Sequence, residues 1–215
     1  MIASFRKAAL LLGAAAAFLP ALASASETLP KRLAAMTPTE FETKTRIVDD
    51  PLEPDVVITT DKAHRGSQWL DDGLADNIYV RALVARDTGK VRFQIWHDIA
   101  YWGMRKDIYQ VNYVAGGALR SDPLAIAAHR PDECPFVDEI VYCRSHKTLV
   151  FEVPETVMRE IAQQYQPRSR QAWSFRFKDR LGRDVTSGIA PAEAAGLLRV
   201  LDKWRGSVAQ QHAAL

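Results

Sequence analysis

Cysteine is scarce in this chain, which has two cysteines among its 215 residues. So few thiols exclude a small disulfide-rich scaffold and a zinc site made of four cysteines. An excess of one charge is also missing, because the formal net charge is only +2. Arg6 and Lys7 account for that excess, and the remaining basic and acidic residues are equal in number. Since a nucleic-acid-binding surface needs a surplus of Lys and Arg, we expect no nucleic-acid partner.

Long apolar runs are lacking except near the amino terminus, between Ala8 and Leu22. This run is shorter than the roughly 20 residues that span a bilayer. Two basic residues precede it, and the small residues Ala23-Ser24-Ala25 follow it. A basic start, an apolar middle and a small-x-small end are typical of a secretory signal. We predict a signal peptide over residues 1–25, with a permanent anchor as the alternative, and a mature protein that is periplasmic or secreted without a membrane span.

Cys134 and Cys143 are separated by eight residues. An exported protein meets an oxidising compartment, in which a pair at short spacing forms a disulfide. The alternatives are a redox pair or a metal-binding pair, although the spacing differs from the C-x-x-C of thiol exchange. We predict a structural disulfide that orders the loop around Cys134.

Four segments alternate apolar and polar residues with a period of two, which is the pattern of half-buried β-strands. They cover residues 78–85, 91–96, 108–115 and 173–178. The first two are joined by the turn sequence Asp87-Thr88-Gly89-Lys90 and therefore predict a hairpin.

Apolar residues recur at helical spacing in two later segments. One begins after Pro154, and the other begins at Pro191 and is predicted to stop at Gly206. Strands and helices do not alternate in the order that builds a parallel sheet. We therefore predict a mainly β, α+β fold, which is an antiparallel sheet or a β-sandwich with one internal and one carboxy-terminal helix.

The domain organisation follows from composition. Residues 26–55 are rich in Pro, Thr and acidic residues and are predicted to be a flexible or extended leader. A single β-rich domain is predicted over residues 56–206, followed by a loose tail over residues 207–215.

A little over half of the chain, from Tyr79 to Leu198, resembles a family of uncharacterised exported bacterial proteins. The residues that carry the resemblance are Tyr79-Val80-Arg81-Ala82, Asp87-x-Gly89, Phe93-Gln94, Tyr101, Gly116-Gly117, Cys134, Cys143, Trp173-x-Phe175-x-Phe177-Lys178 and Gly182. The resemblance implies export and a β-rich fold, and it implies nothing catalytic.

The sequence around His97 is a candidate site for nucleophilic catalysis because it contains histidine and aspartate side by side. Together with Asp98 and Ser67, His97 supplies the residue types of a nucleophilic triad, but no serine lies in a G-x-S-x-G sequence. His97 also continues the alternation of residues 91–96, which is typical of the end of a core face. We predict no catalytic residue, and the alternative is an envelope hydrolase with an unfamiliar site near His97.

The densest group of metal-ligand residue types is formed by His129, Asp132, Glu133 and Cys134. A disulfide would remove the Cys134 thiolate, and a zinc ion would need a further ligand from elsewhere in the chain. We expect no metal and no cofactor.

The candidate binding residues include three aromatic side chains, Trp96, Tyr101 and Trp102. Trp96 shares a strand face with Arg92 and Gln94, opposite the expected core. Exposed rings beside Arg, Gln and Asp are typical of sugar and peptide grooves. The other interpretation is that both faces of the sheet are covered and that these rings belong to the core.

A second candidate surface contains Arg176 and Lys178, which share the polar face of their strand. Basic side chains on exposed strands guard against edge-to-edge pairing, and an anionic envelope partner is the alternative. Taken together, the sequence predicts an exported cell-envelope protein that is a non-enzymatic binding or accessory protein. Its expected partner is an envelope protein or a glycan.

The signal-peptide prediction can be tested at the amino terminus of the exported protein. We expect mature protein from the periplasm to begin at Ser26, or at Ser24 if the competing site is used. Mass spectrometry of the intact protein distinguishes these ends. An intact Met1 in the membrane fraction would contradict cleavage and would favour the anchor.

Overall fold

A computed structural model gives the structure of the chain. It describes residues 28–64, 75–102, 105–134, 136–137, 140–141 and 143–213. The predicted signal peptide and Ser67 lie outside the described residues.

Within these residues the chain forms twelve strands. They are β1 Arg46–Val48, β2 Asp55–Thr59, β3 Ala75–Ala85, β4 Val91–Trp102, β5 Ile108–Ala115, β6 Ala118–Pro123, β7 Ile126–Glu133, β8 Phe136–Val137, β9 Ile140–Val141, β10 Arg144–Val153, β11 Trp173–Asp179 and β12 Val185–Ile189.

Four helices accompany the strands in the described part of the chain. They are α1 Lys31–Ala34, α2 Pro38–Lys44, α3 Glu155–Gln163 and α4 Pro191–Ala213. The predicted internal and carboxy-terminal helices are present as α3 and α4, and two short helices precede the first strand.

The strands form two antiparallel sheets and one small hairpin. The larger sheet has six strands in the order β1-β2-β3-β4-β10-β7, and the smaller has four in the order β12-β11-β5-β6. The β8–β9 hairpin lies between the two cysteines, which are joined as predicted by a disulfide. The protein therefore has the predicted mainly β, α+β fold. Disulfides are typical of oxidising compartments.

The β3–β4 hairpin confirms the strongest local prediction. The two strands pair over their whole common length, with Val80 opposite Ile95 and Tyr79 opposite Trp96. Gly89 in the connecting turn has a φ of 66°, a left-handed conformation that favours glycine. Because side chains alternate across a strand, the pairing places one apolar row inward and one polar row outward.

The core lies between the inward faces of the two sheets and extends under α3 and α4. Aromatic rings join the sheets: the Phe151 ring centroid lies 5.1 Å from that of Phe175 and 5.9 Å from that of Tyr113. The helices are held together by Glu155 of α3, whose carboxylate accepts hydrogen bonds from Arg205 and Arg159. These bonds lower the pKa of Glu155 to about 2.

The amino-terminal segment does not form the predicted leader. Helix α2 begins with a capping box in which the side chains of Thr37 and Glu40 bond each other's backbone N–H groups. Phe41 of the same helix is fully buried and contacts α4, where Gly196 lets the two helices approach closely. The Pro- and Thr-rich composition therefore belongs to helix caps and turns, and residues 28–55 are part of the fold.

The carboxy-terminal helix also differs from the prediction. Helix α4 continues through Gly206 to Ala213, where a loose tail was expected. Glycine ends a helix when it adopts a positive φ, and Gly206 is not among the described glycines that do so. Inside an exposed helix it costs only about 1 kcal/mol relative to alanine, which does not stop a long helix.

In the part of the chain that the structure describes, no helix combines the length and the apolar character needed to cross a bilayer.

Two glycines of α4 should respond in opposite directions to the same substitution. A Cβ added at Gly196 would lie 2.5 Å from the Phe41 Cβ and 2.9 Å from the Pro38 carbonyl oxygen. We expect Gly196→Ala to destabilise the protein by roughly 1–3 kcal/mol through overpacking. At Gly206 a Cβ meets nothing within 4 Å, so Gly206→Ala should stabilise by up to about 1 kcal/mol.

Urea unfolding of the two variants beside the parent protein measures both effects. A Gly196→Ala variant as stable as the parent would show that α2 does not pack on α4 and that the amino-terminal segment is a leader after all.

Candidate functional site

The outward face of the six-stranded sheet carries a connected group of aromatic and polar side chains. On β4 the inward residues include Phe93, Ile95 and His97, so Gln94 and Trp96 point outward between them. We call the outward group the Trp96 face, and its members are Tyr79, Arg81, Gln94, Trp96, Asp98, Thr148, Glu152 and the buried Val150, which lies opposite Trp96. The pairing of β3 and β10 with β4 places them on one side of the sheet.

Three of these side chains form a stack. The rings of Tyr79 and Trp96 lie nearly parallel, with centroids 5.8 Å apart and planes inclined by 15°. The Arg81 Cζ lies 4.1 Å from the Trp96 ring centroid and 5.2 Å from that of Tyr79. A guanidinium at this distance is attracted by the negative faces of both rings. Arg81 and the two rings therefore hold one another in place.

A chain of hydrogen bonds orients the other edge of the Trp96 ring. The indole N–H donates to the Gln94 side-chain oxygen at 3.0 Å, and the Gln94 amide donates to Glu152 at 3.0 Å. Arg92 donates to the same Glu152 carboxylate at 3.3 Å and to Asp55 at 2.9 Å. Arg92 thus bonds two acids, and one of them, Glu152, holds Gln94 in place. Gln94 in turn fixes the orientation of the Trp96 indole.

Arg81 has no such acidic neighbour. Its Nε is buried and has no hydrogen-bond partner, and within the described residues no carboxylate lies within ion-pair distance of its guanidinium. A similar cation on the other sheet, Arg180, lies over the Tyr109 ring at 4.9 Å but pairs with Asp107 at 3.2 Å. Among the residues that the structure describes, the Arg81 guanidinium therefore meets the faces of two rings and no carboxylate.

The opposite end of the Trp96 face is acidic. Asp98 is partly exposed and accepts a hydrogen bond from the Thr148 hydroxyl at 2.6 Å. Burial raises the pKa of the Tyr79 phenol; Arg81 opposes this rise and Asp98 adds to it. Tyr79 is consequently a neutral ring at physiological pH, flanked by a cation and an acid.

The three predicted aromatic candidates have different environments. Trp96 points outward and is partly exposed, and Trp102 at the end of β4 is 44% exposed. Tyr101 is only 2% exposed, and its hydroxyl accepts a hydrogen bond from the Lys106 backbone N–H at 2.9 Å. Tyr101 is therefore a core residue and not part of a binding surface, because it occupies the inward row of β4.

Arg176 and Lys178 lie on the outward face of the other sheet, as their alternation indicated. Arg176 is exposed and donates to the Thr186 hydroxyl at 3.1 Å, whereas Lys178 is paired with Asp184. The two residues belong to the four-stranded sheet, so the structure does not join them to Trp96 in one site.

The arrangement around His97 does not favour hydrolysis. His97 is 1% exposed and lies between the sheets, with its ring centroid 5.4 Å from that of Phe177. Asp98 follows it on the strand and therefore points to the opposite face. An acid and a histidine on opposite sides of one strand cannot form a relay, and Ser67 lies outside the described residues.

No metal centre is found in the described part of the chain, where no three His, Cys, Asp or Glu side chains converge as ligands. Cys134, the predicted member of a ligand-like cluster, is bonded to Cys143.

Tyr79 and Arg81 are the site residues that sequence reasoning did not single out. Their signal was present, because the hairpin alternation places both on the same outward row as Trp96. What the alternation could not show is that Arg81 has no acidic partner among the described residues, because that depends on contacts with other strands.

Comparison with known proteins gives no guide to this site, since no family model, curated protein or solved structure matches the chain. The resemblance to exported bacterial proteins therefore stays a prediction. Function has to be argued from the geometry.

The opposite environments of two adjacent residues, Tyr101 and Trp102, can be tested together. Tyr101→Ala removes a buried ring and should cost about 3–5 kcal/mol of stability, as other large aromatic deletions do. Trp102→Ala removes an exposed ring and should change stability by about 0.5 kcal/mol or less. Urea unfolding measures both, and equal effects would contradict the alternation of β4.

Proposed function

We propose that this chain is an exported, non-enzymatic saccharide-binding protein and that the Trp96 face contacts the sugar. The observation that carries the proposal is the partly exposed Trp96 ring, held on an outward sheet face between a guanidinium and a side-chain amide. The predicted signal peptide and the disulfide between Cys134 and Cys143 support a periplasmic or secreted location.

Aromatic rings suit sugars for a physical reason. One side of a pyranose ring presents a row of C–H groups, which pack against the flat face of an indole. Its hydroxyl groups need donors and acceptors around the rim. Asp98, which is partly exposed on the same strand row as Trp96, supplies an acceptor on one side of the ring. Gln94 on the other side is 7% exposed, and its amide is engaged with Trp96 and Glu152.

The site is also preorganised. The Trp96 indole is already fixed by Tyr79, Arg81 and Gln94. A ligand that packs on it therefore loses little affinity to the ordering of side chains. This rigidity is expected of a binding site and is not needed by a surface that only contacts solvent.

A protein partner fits this face less well than a sugar. Stable protein interfaces bury about 800 Å² on each side and have an apolar centre. Here the centre contains charged and amide groups, and the two outward tryptophans are separated along β4 by Asp98 and Ala100. A narrow ligand that meets one ring and its polar rim suits this pattern better.

The proposal is tested by titrating the mature protein with tetramers of N-acetylglucosamine, glucose and galacturonate, followed by NMR of the indole N–H groups. The Trp96 signal, assigned with Trp96→Phe, is expected to shift with at least one saccharide. Trp96→Ala should lose that binding while remaining folded by circular dichroism.

The matched control is Tyr109→Ala, which removes an exposed ring that lies beside a cation on the other sheet. Its saccharide affinity should equal that of the parent protein. The absence of any shift at millimolar saccharide, or an equal loss of affinity in Tyr109→Ala, would contradict the proposal. Binding of the same sugar by Trp96→Phe would show that an aromatic face suffices.

A further inference from the structure

We infer that the Trp96 face selects an acidic saccharide and that Arg81 is the specificity-determining residue that binds the sugar carboxylate. This inference rests on the proposed function, because it names the class of sugar that the same site would take. The inference adds Arg81 to the binding residues, and it requires the sugar to carry a negative charge.

Arg81 differs from two other arginines in its charge environment. The other cations compared above each have a carboxylate partner: Arg92 bonds Asp55 and Glu152, and Arg180 bonds Asp107. Arg81 has none among the described residues. A partly buried guanidinium pays a desolvation cost, and an anion from outside the chain would offset it.

The geometry of the stack also favours a carboxylate as the ligand of Arg81. The guanidinium is planar, and its centre lies 4.1 Å from the Trp96 ring centroid. Stacking uses the face of the guanidinium, while its N–H bonds lie in the plane of the group and point sideways. They can therefore bind an anion beside the ring with two parallel hydrogen bonds, which is the arrangement that carboxylates favour.

The charges on the Trp96 face favour a ligand with a single negative charge. Arg81 is one cation, and Asp98 on the same face is an acid that forms no ion pair with it. A phosphate carries about −1.5 to −2 charges at neutral pH and suits clusters of cations or helix termini. A sugar carboxylate carries a single negative charge and matches one guanidinium, with the acid left to accept hydrogen bonds from sugar hydroxyls.

The experiment compares two ligands that differ only in charge, tetragalacturonate and its methyl ester. Calorimetric titration of the parent protein should give at least tenfold tighter binding of the acid. In Arg81→Gln the acid should lose about tenfold to hundredfold in affinity, while the ester should bind as it does to the parent. The preference for the acid should also weaken as salt is added.

Two further variants separate charge from structure. Arg81→Lys keeps the charge but not the planar pair of donors, so its preference should lie between those of the parent and Arg81→Gln. Arg180→Gln removes the comparable cation over Tyr109 and should bind both ligands as the parent does. Thermal melting of each variant establishes that it is folded.

The possible failures are distinguishable. If the parent binds the ester as tightly as the acid, or binds only neutral tetramers, the acidic specificity is wrong and saccharide binding stands. If folded Arg81→Gln loses acid and ester equally, Arg81 supports the ring and does not recognise the carboxylate. If the parent binds none of the tetramers, the proposed function itself is wrong.

Discussion

The aromatic contact between the two sheets is the constraint on which the rest of the structure depends. Phe151 of the six-stranded sheet packs between Phe175 and Phe177 of the four-stranded sheet, with ring centroids 5.1 and 5.9 Å away. His97 joins the same layer, 5.4 Å from Phe177. Successive side chains of a strand point to opposite faces of the sheet. Because Phe151 and His97 point into the core, their neighbours on β10 and β4 must point outward. The Trp96 face is therefore the side of the six-stranded sheet that points away from this core.

Ion pairing distinguishes basic residues that the composition of the chain does not tell apart. The chain has nearly equal numbers of acids and bases, and described ion pairs engage Arg92, Lys178, Arg180 and Arg183. Arg81 differs from these four residues, because within the described part of the chain its guanidinium contacts aromatic faces and no carboxylate. The basic side chains near Arg176 look more conspicuous in the sequence, and three of them, Lys178, Arg180 and Arg183, are each paired with an acid of the fold. Arg176 itself donates to the Thr186 hydroxyl. The candidate binding role of Arg81 therefore rests on its ring contacts together with its charge.

The strands that could be predicted are those with one buried face. Strand β11 alternates Trp173, Phe175 and Phe177 with polar residues, and its burial follows the same alternation. Strand β6 is almost wholly exposed and β1 entirely so. Neither strand therefore shows the alternation of apolar and polar residues that predicts a strand. Both are held in place by pairing with a neighbouring strand. The amino-terminal helices also lack a recurring apolar pattern. In α2 only Pro38 and Phe41 are buried, so the sequence offers no helical periodicity by which to predict it.

Local spacing and the period of a strand are enough to predict the hairpin, the disulfide pair and the outward direction of Trp96. Strand alternation also places Tyr101 inward once β4 extends that far. Tertiary contacts are needed for two further outcomes: α4 runs past Gly206, and within the described residues Arg81 lies beside rings and not beside an acid. These two outcomes depend on which distant segments meet, such as Phe41 packing on α4 and Asp55 and Glu152 both reaching Arg92. Contacts between residues far apart in the chain leave no periodicity in a single sequence, and the charge balance of a site consists of such contacts.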